Sequence, residues 1–202
     1  MDQTQVQSLA EAVLGRIFVP LEASGRHVHL TRAQCLSLFG TELTPLRPLS
    51  QPGQYLAQER VTVIGPKGRF ENVAVLGPAR QEAQVELSMT DCRSLGLQAP
   101  IRQSGDVQDT PGVILEGPRG RIGLQSGVII AQRHLHLTPE AAALFRVKDK
   151  QVVTLQTYTA RPTLFQAVLV RVSPQFANAA HLDIDEANAC GMKSGDLGRI
   201  LP

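Results

Sequence analysis

Arg26-His27-Val28-His29-Leu30-Thr31 returns later in the chain as Arg133-His134-Leu135-His136-Leu137-Thr138. The His-x-His spacing decides the local conformation. On a strand, residues i and i+2 project from the same face. On a helix they point about 200° apart and cannot share a ligand. Read as strands, the motifs place two imidazoles on one face and send Val28 or Leu135 into a core. The aliphatic and β-branched neighbours favour that reading. Of the five histidines, only His181 lies elsewhere, in Ala180-His181-Leu182-Asp183-Ile184-Asp185. Imidazole is the commonest metal-binding side chain, so the pattern predicts a metal site assembled from two copies of one unit. The competing reading is that the repeats preserve structural histidines that hydrogen-bond loops.

The repeat extends beyond the histidines. Phe70-Glu71-Asn72-Val73-Ala74-Val75 matches Phe165-Gln166-Ala167-Val168-Leu169-Val170, 95 residues later. The same offset places Asp91 on Glu186, Gly96 on Gly191 and Glu86 on His181. Ser104-Gly105-Asp106 recurs as Ser194-Gly195-Asp196. The His-x-His motifs are offset by 107, so the first half is 12 residues longer between its His motif and its Phe strand. The Pro-rich stretch from Pro45 to Gln54 is the expected extra loop. Each half therefore offers a triplet: His27, His29 and Glu86 from the first, His134, His136 and His181 from the second. Glu86 sits in the alternating stretch Gln84-Val85-Glu86-Leu87-Ser88, where Val85 and Leu87 face the other way.

Seventeen glycines and thirteen prolines punctuate short β-like runs. Val61–Ile64, Val73–Leu76, Val128–Ile130, Val152–Leu155 and Ala167–Val170 read as strands. Gly65-Pro66-Lys67-Gly68 and Gly117-Pro118-Arg119-Gly120 read as tight turns. The expected fold is mainly β: two repeated β-barrel units with short capping helices and an N-terminal amphipathic helix. The expected division is 1–19 for that helix, 20–110 for the first barrel repeat and 111–202 for the second. Exchange of strands between barrels is left open. Thr31-Arg32-Ala33-Gln34 is a capping-box pattern, and Thr138-Pro139 puts Pro at the first helical position, so a helix follows each His motif. The free N–H groups at those helix starts suit an anion, or serve only as caps. Val6, Leu9, Ala10, Val13, Leu14 and Ile17 recur at helical spacing, ended by Pro20.

Composition narrows the function. The chain has 202 residues, 43% hydrophobic and 19% charged, with a net charge of +2. That balance excludes a general nucleic-acid binder. No apolar run is long enough to span a membrane, and Met1-Asp2-Gln3 lacks the basic start of a signal peptide. Cys35, Cys92 and Cys190 are scattered and odd in number, which suits a reducing cytosol rather than a disulfide framework. Catalytic zinc commonly takes three protein ligands and leaves a position open. Six N/O ligands without a thiolate therefore suit two catalytic metals, and zinc best, with Fe, Co, Ni and Cu left open. Two metals about 3.5–4 Å apart can clamp an attacking oxygen and a developing oxyanion.

These motifs together resemble the phosphate propanoyltransferases of the PduL type, zinc-dependent phosphotransacylases associated with bacterial microcompartments. The resemblance runs from about Arg26 to Leu201. In the first half it rests on Arg26–Leu30, Gln51-Pro52-Gly53-Gln54-Tyr55, Gly65–Gly68, Leu76-Gly77-Pro78-Ala79-Arg80 and Gln84–Ser88. In the second it rests on Ser126–His136 and His181–Ala189. It implies two β-barrels with short helices, and acyl-CoA + phosphate ⇌ acyl phosphate + CoA, with propanoyl as the acyl group. It implies two zinc ions on His27, His29, Glu86, His134, His136 and His181, and phosphate held by Arg80, whose bidentate fork suits that anion. It implies a bacterial cytoplasmic enzyme inside a microcompartment, with residues 1–19 either packing on the barrels or docking to shell or core proteins. Homo-oligomer formation is left open. Family members often carry Asn where this chain has Gly25 and Arg where it has Met89. Two other readings compete: a dizinc hydrolase of thioesters or phosphoesters, and a non-catalytic metal-binding scaffold.

Overall fold

A computed structural model of the chain describes residue 2, residues 4–5 and residues 13–201. The elements begin with β1 (Val19–Ser24), β2 (His27–His29), α1 (Arg32–Phe39), β3 (Pro45–Pro48), β4 (Tyr55–Ile64), β5 (Arg69–Gly77), β6 (Gln84–Leu87) and α2 (Met89–Leu95). They continue with β7 (Ile101–Arg102), β8 (Ile114–Gly117), β9 (Gly120–Gly123), β10 (Val128–Ala131), β11 (His134–Leu137) and α3 (Pro139–Phe145). Last come β12 (Val152–Tyr158), β13 (Leu164–Val172), β14 (Ala179–Asp183), α4 (Ile184–Cys190) and β15 (Leu197–Leu201). Mainly β architecture with short helices is thus what the structure shows. Among the described residues no helix is long and apolar enough to cross a membrane.

The chain divides into two compact units: Met1–Ser24 with Arg133–Leu182 and Glu186–Pro202, and Gly25–Gln132 with Asp183–Asp185. In the first unit, six strands close a barrel in the order β1-β14-β11-β13-β12-β15. In the second, nine strands form a half-barrel in the order β7-β10-β6-β2-β5-β4-β8-β9, with β3 beside β4. β1 comes before the first His motif in sequence but pairs with β15 in the barrel of the second motif. β10 pairs in parallel with β6 in the sheet of the first motif. Strand pairing therefore crosses the linear boundary at 110/111.

The internal repeat is structural down to strand register. β2 runs parallel to β5, with His27 opposite Ala74 and Val28 opposite Val75. β11 runs parallel to β13, with His134 opposite Leu169 and Leu135 opposite Val170. Asn72 and Ala167, related by the 95-residue offset, both take a left-handed φ of 57°. Each unit buries the apolar alternates of its His strand. Val28 and Leu30 lie in one core, Leu135 and Leu137 in the other. This is the period-2 consequence of a strand with one face inward.

Local signals explain the helices. Thr31 caps α1 through a full capping box with Gln34, and Gly40 closes it in the left-handed conformation. Thr138 caps α3 with Pro139 in its first turn. The Pro45–Gln54 stretch, expected as loop, contributes the short edge strand β3, paired with β4. An edge strand tolerates Pro45 and Pro48 because the N–H they lack has no partner to lose. Val6, Leu9 and Ala10 of the expected N-terminal helix lie outside the described residues. Val13 and Leu14 are helical and, like Ile17, exposed. Pro20 lies in β1.

The residue before each His pair anchors its strand in the same way. Arg26 holds Asp91 with two bonds, Nε to Oδ2 at 3.1 Å and Nη2 to Oδ1 at 2.7 Å. Its guanidinium also lies 4.0 Å from the Phe70 ring centroid. Arg133 pairs with Glu186 at 3.0 Å and lies over Phe165 at 5.7 Å. Asp91 is buried, so removing its partner leaves a desolvated carboxylate, held by little besides the Ser88 cap. Arg26→Met is expected to lower stability by about 1–3 kcal/mol. The check is the shift of the urea midpoint at unchanged m-value. A shift equivalent to less than about 0.5 kcal/mol would mean that the cap alone suffices for Asp91.

Candidate metal sites

The first triad is built on two neighbouring strands of the half-barrel. β2 supplies His27 and His29 on one face, and β6 runs antiparallel with Glu86 directly opposite His27. The second triad repeats that geometry in the closed barrel. β11 supplies His134 and His136, and β14 runs antiparallel with His181 directly opposite His134. Within each triad, the ligand-type atoms lie within 4.8 Å of one another. The sequence offset that placed Glu86 on His181 is therefore a spatial equivalence.

Electrostatics prepare the first triad for a cation. His27 Nδ1 lies 2.9 Å from the Gly25 carbonyl. A carbonyl only accepts, so Nδ1 carries the hydrogen and Nε2 faces Glu86, whose Oε2 is 3.5 Å away. Burial opposes a charge on His27, but the Glu86 carboxylate outweighs it and raises the imidazole pKa above the ordinary value. Burial likewise opposes the charge on Glu86, and His27 overcomes it, holding the carboxyl well below the usual range. His29 behaves differently: burial, then the charges of His27 and Arg80, push its pKa down to about 3. It is neutral at physiological pH, and its Nδ1 is buried with no hydrogen-bond partner among the described residues. The Leu76 backbone also acts on this ring, and a neutral imidazole is the form that binds a cation.

In the second triad, His136 Nδ1 lies 3.1 Å from His181 Nε2, and the His134 ring stacks on His181 with centroids 5.0 Å apart. Burial, with charge on His134 and His181, pushes the His136 pKa down to about 2. Phe176 packs against His136 at 4.1 Å. Glu22, on β1, brings a carboxylate oxygen to 3.6 Å from His181 Nδ1. That arrangement leaves His181 Nε2 toward His136, as carboxylates orient imidazoles in metal sites. Nothing in Val19-Pro20-Leu21-Glu22 singles out Glu22, and only closure of the barrel brings it there. The donor sets, imidazole nitrogens with one carboxylate and no thiolate, fit zinc with positions left open.

The raised His27 pKa has a sign that can be measured. The His27–Glu86 pair stabilises the metal-free fold below the ordinary imidazole pKa of about 6.5. That contribution is lost as pH rises through the raised value. A zinc ion held at this triad would need His27 Nε2 without its proton. Zinc added to the metal-free protein is therefore expected to release a proton from this triad, more at about pH 6 than at about pH 8.5. Calorimetry in buffers of different ionisation enthalpy reads the release. Glu86→Gln should reduce it, and equal release from wild type and variant would remove Glu86 as the cause.

Arg80 follows β5 and is tied down by its backbone, with its N–H donating to the Leu30 carbonyl at 2.8 Å. Its Nη1 donates to Ser104 Oγ at 3.0 Å. Its charge is felt by His27, His29 and Glu86 alike, so an anion held by Arg80 would lie in the field of the first triad. Arg80 also lines a cleft of about 400 Å³, with Cys35, Leu43, Tyr55 and Pro78 among its walls.

The model of the phosphate propanoyltransferase family matches residues 20–193. The chain belongs to that family. A phosphate propanoyltransferase of Enterococcus faecalis is 51% identical over 183 residues, covering 90% of this chain and 87% of that protein. One from Leptotrichia buccalis is 52% identical over 182 residues, covering 89% of this chain and 86% of that protein. One from Listeria monocytogenes is 46% identical over 207 residues, covering 100% of this chain and 97% of that protein. Family membership identifies the chain as a phosphate acyltransferase, and the matched segment contains all six triad residues and Arg80.

Proposed function

We propose that the chain catalyses acyl-CoA + phosphate ⇌ acyl phosphate + CoA, with propanoyl as the acyl group. One zinc ion would be held by His27, His29 and Glu86, and one by His134, His136 and His181. The observation that carries this reading is Arg80, a phosphate-type anchor placed in the field of a metal-type triad, in a chain of this family. Zinc would supply Lewis-acid stabilisation of the negative charge that develops on the thioester carbonyl oxygen. Arg80 binds phosphate through its guanidinium and orients it for attack on the carbonyl carbon. The carbon–sulfur bond then breaks and CoA leaves as a thiolate. Its thiol pKa, about 8.5 by analogy with cysteine, makes protonation by the enzyme unnecessary.

Direct attack by phosphate is favoured over an acyl-enzyme because the cysteines are poor nucleophiles. Cys35, Cys92 and Cys190 are free and buried. Burial pushes the Cys35 and Cys92 thiols up to about 11, so little thiolate exists at neutral pH. In the cleft beside Arg80, which Arg32 and Glu42 also line, Leu43, Tyr55 and Pro78 offer an apolar surface that suits the acyl substituent.

The deciding experiment measures CoA release from propanoyl-CoA with and without phosphate, before and after chelation. Release that needs both phosphate and metal is expected. Release without phosphate would move the assignment to a hydrolase, and bound metal without any release would favour a scaffold. The cellular setting proposed with this activity is a bacterial microcompartment, with residues 1–19 docking to shell or core proteins. A chain lacking residues 1–17, which leaves β1 and its buried Val19 intact, should keep its activity but lose its localisation. An insoluble product would mean that the segment packs on the barrel instead.

A further inference from the structure

The first half carries polar side chains that its repeat lacks. By strand register, Gln84 opposes His29 as Ala179 opposes His136. By the same offset, Arg80 stands where the second half has Gln175. Ser104-Gly105 recurs as Ser194-Gly195, but only the first copy has an arginine and a buried glutamine to meet.

Gln84 is 2% exposed. Chemistry fixes which way its amide points. The Gly105 backbone N–H is a donor, so the atom accepting from it at 2.6 Å is Oε1. The Nε2 hydrogens then go to Glu86 Oε1 at 2.5 Å and Ser104 Oγ at 2.8 Å. Arg80 Nη1 donates to the same Ser104 oxygen at 3.0 Å. A hydroxyl has two lone pairs and one hydrogen. Guanidinium and amide nitrogens can only donate, so these two bonds occupy both lone pairs. The Ser104 hydrogen is thereby directed away from both, and Ser104 is half-buried, within reach of a ligand. Arg80 and Ser104 together present donors alone, which matches a ligand made of acceptors.

We propose that Ser104 is a second phosphate-binding residue, whose O–H donates to an oxygen of the phosphate held by Arg80. Gln84 is its positioning residue. It clamps the hydroxyl beside Arg80 and, with its other hydrogen, sets the Glu86 carboxylate so that Oε2 faces His27. The inference rests on the reading of Arg80 as the phosphate anchor.

The test compares zinc-loaded wild type, Ser104→Ala, Ser104→Thr and Gln84→Met. Ser104→Ala is expected to raise the phosphate KM about tenfold, leave the propanoyl-CoA KM unchanged and keep wild-type zinc content. Ser104→Thr keeps the O–H and should stay within about threefold of wild type. Gln84→Met should raise the phosphate KM similarly and also weaken zinc binding about 10–100-fold, read by competition with a chelator. An unchanged phosphate KM in Ser104→Ala, an equal rise in both KM values, or loss of zinc from that variant would overturn the proposal. Calorimetric titration of inorganic phosphate into the same zinc-loaded proteins, without acyl-CoA, separates this inference from the proposed activity. Weaker phosphate binding by Ser104→Ala supports it even if wild type shows no transacylation, and equal binding overturns it.

Discussion

His134→Ala is expected to reduce phosphate-dependent CoA release by a factor of about 1,000 or more, and to lower zinc from two ions per chain to one. The substitution removes one of three ligands and leaves His136 and His181, too few to hold a catalytic zinc well. It also removes the ring stacked on His181. The core should survive, because the buried alternates Leu135 and Leu137 stay in place. His27→Ala should do the same to the other triad. Metal analysis and turnover must be measured on one preparation, with circular dichroism to verify folding. Wild-type turnover in a variant that has lost an ion would sink the two-zinc reading.

Arg80→Ala is expected to raise the phosphate KM about 100-fold, which is about 2.7 kcal/mol of lost binding. Arg80→Lys should recover only part of that, because an ammonium restores the charge but not the planar fork. The propanoyl-CoA KM should change little in either variant. The zinc content should also hold, since Arg80 acts on the triad through its field rather than as a ligand. An Arg80→Ala enzyme with a wild-type phosphate KM would remove Arg80 from the site.

Much of the site was legible before any fold was known. His27 and His29, and His134 and His136, announce themselves by a spacing that has one meaning on a strand. Glu86 and His181 follow from the repeat, because the duplicated strands keep their register: Val28 faces Val85 as Leu135 faces Ala180. Asp91 and Glu186 were aligned by the same offset, but their purpose was not readable. Each proves to be the partner of the arginine that precedes a His pair. Arg80 was singled out by family resemblance alone, since one surface-type arginine carries no local pattern.

Glu22, Gln84 and Ser104 escaped the sequence reading for a shared reason. Each takes its role from a partner that the sequence does not place beside it: Gln84 meets Ser104 across 20 residues, and Glu22 reaches His181 only because β1 lies between β15 and β14 in the closed barrel. Ser104 was visible as half of a repeated Ser-Gly-Asp, but its role depends on Gln84 and Arg80, which the other copy does not have.

By itself the sequence determined the strand character of both His motifs, the caps of α1 and α3, the tight Gly-Pro turns and the identity of the six candidate ligands. Those properties are local: side-chain alternation, capping chemistry and turn geometry act within a few residues. Tertiary structure alone decided which strands share a sheet, that one unit closes while the other stays a half-barrel, and which polar groups surround each triad. Those depend on pairing between segments far apart in the chain, where any exposed edge offers the same N–H and C=O groups. Only the packing of the complete set of strands selects among the partners.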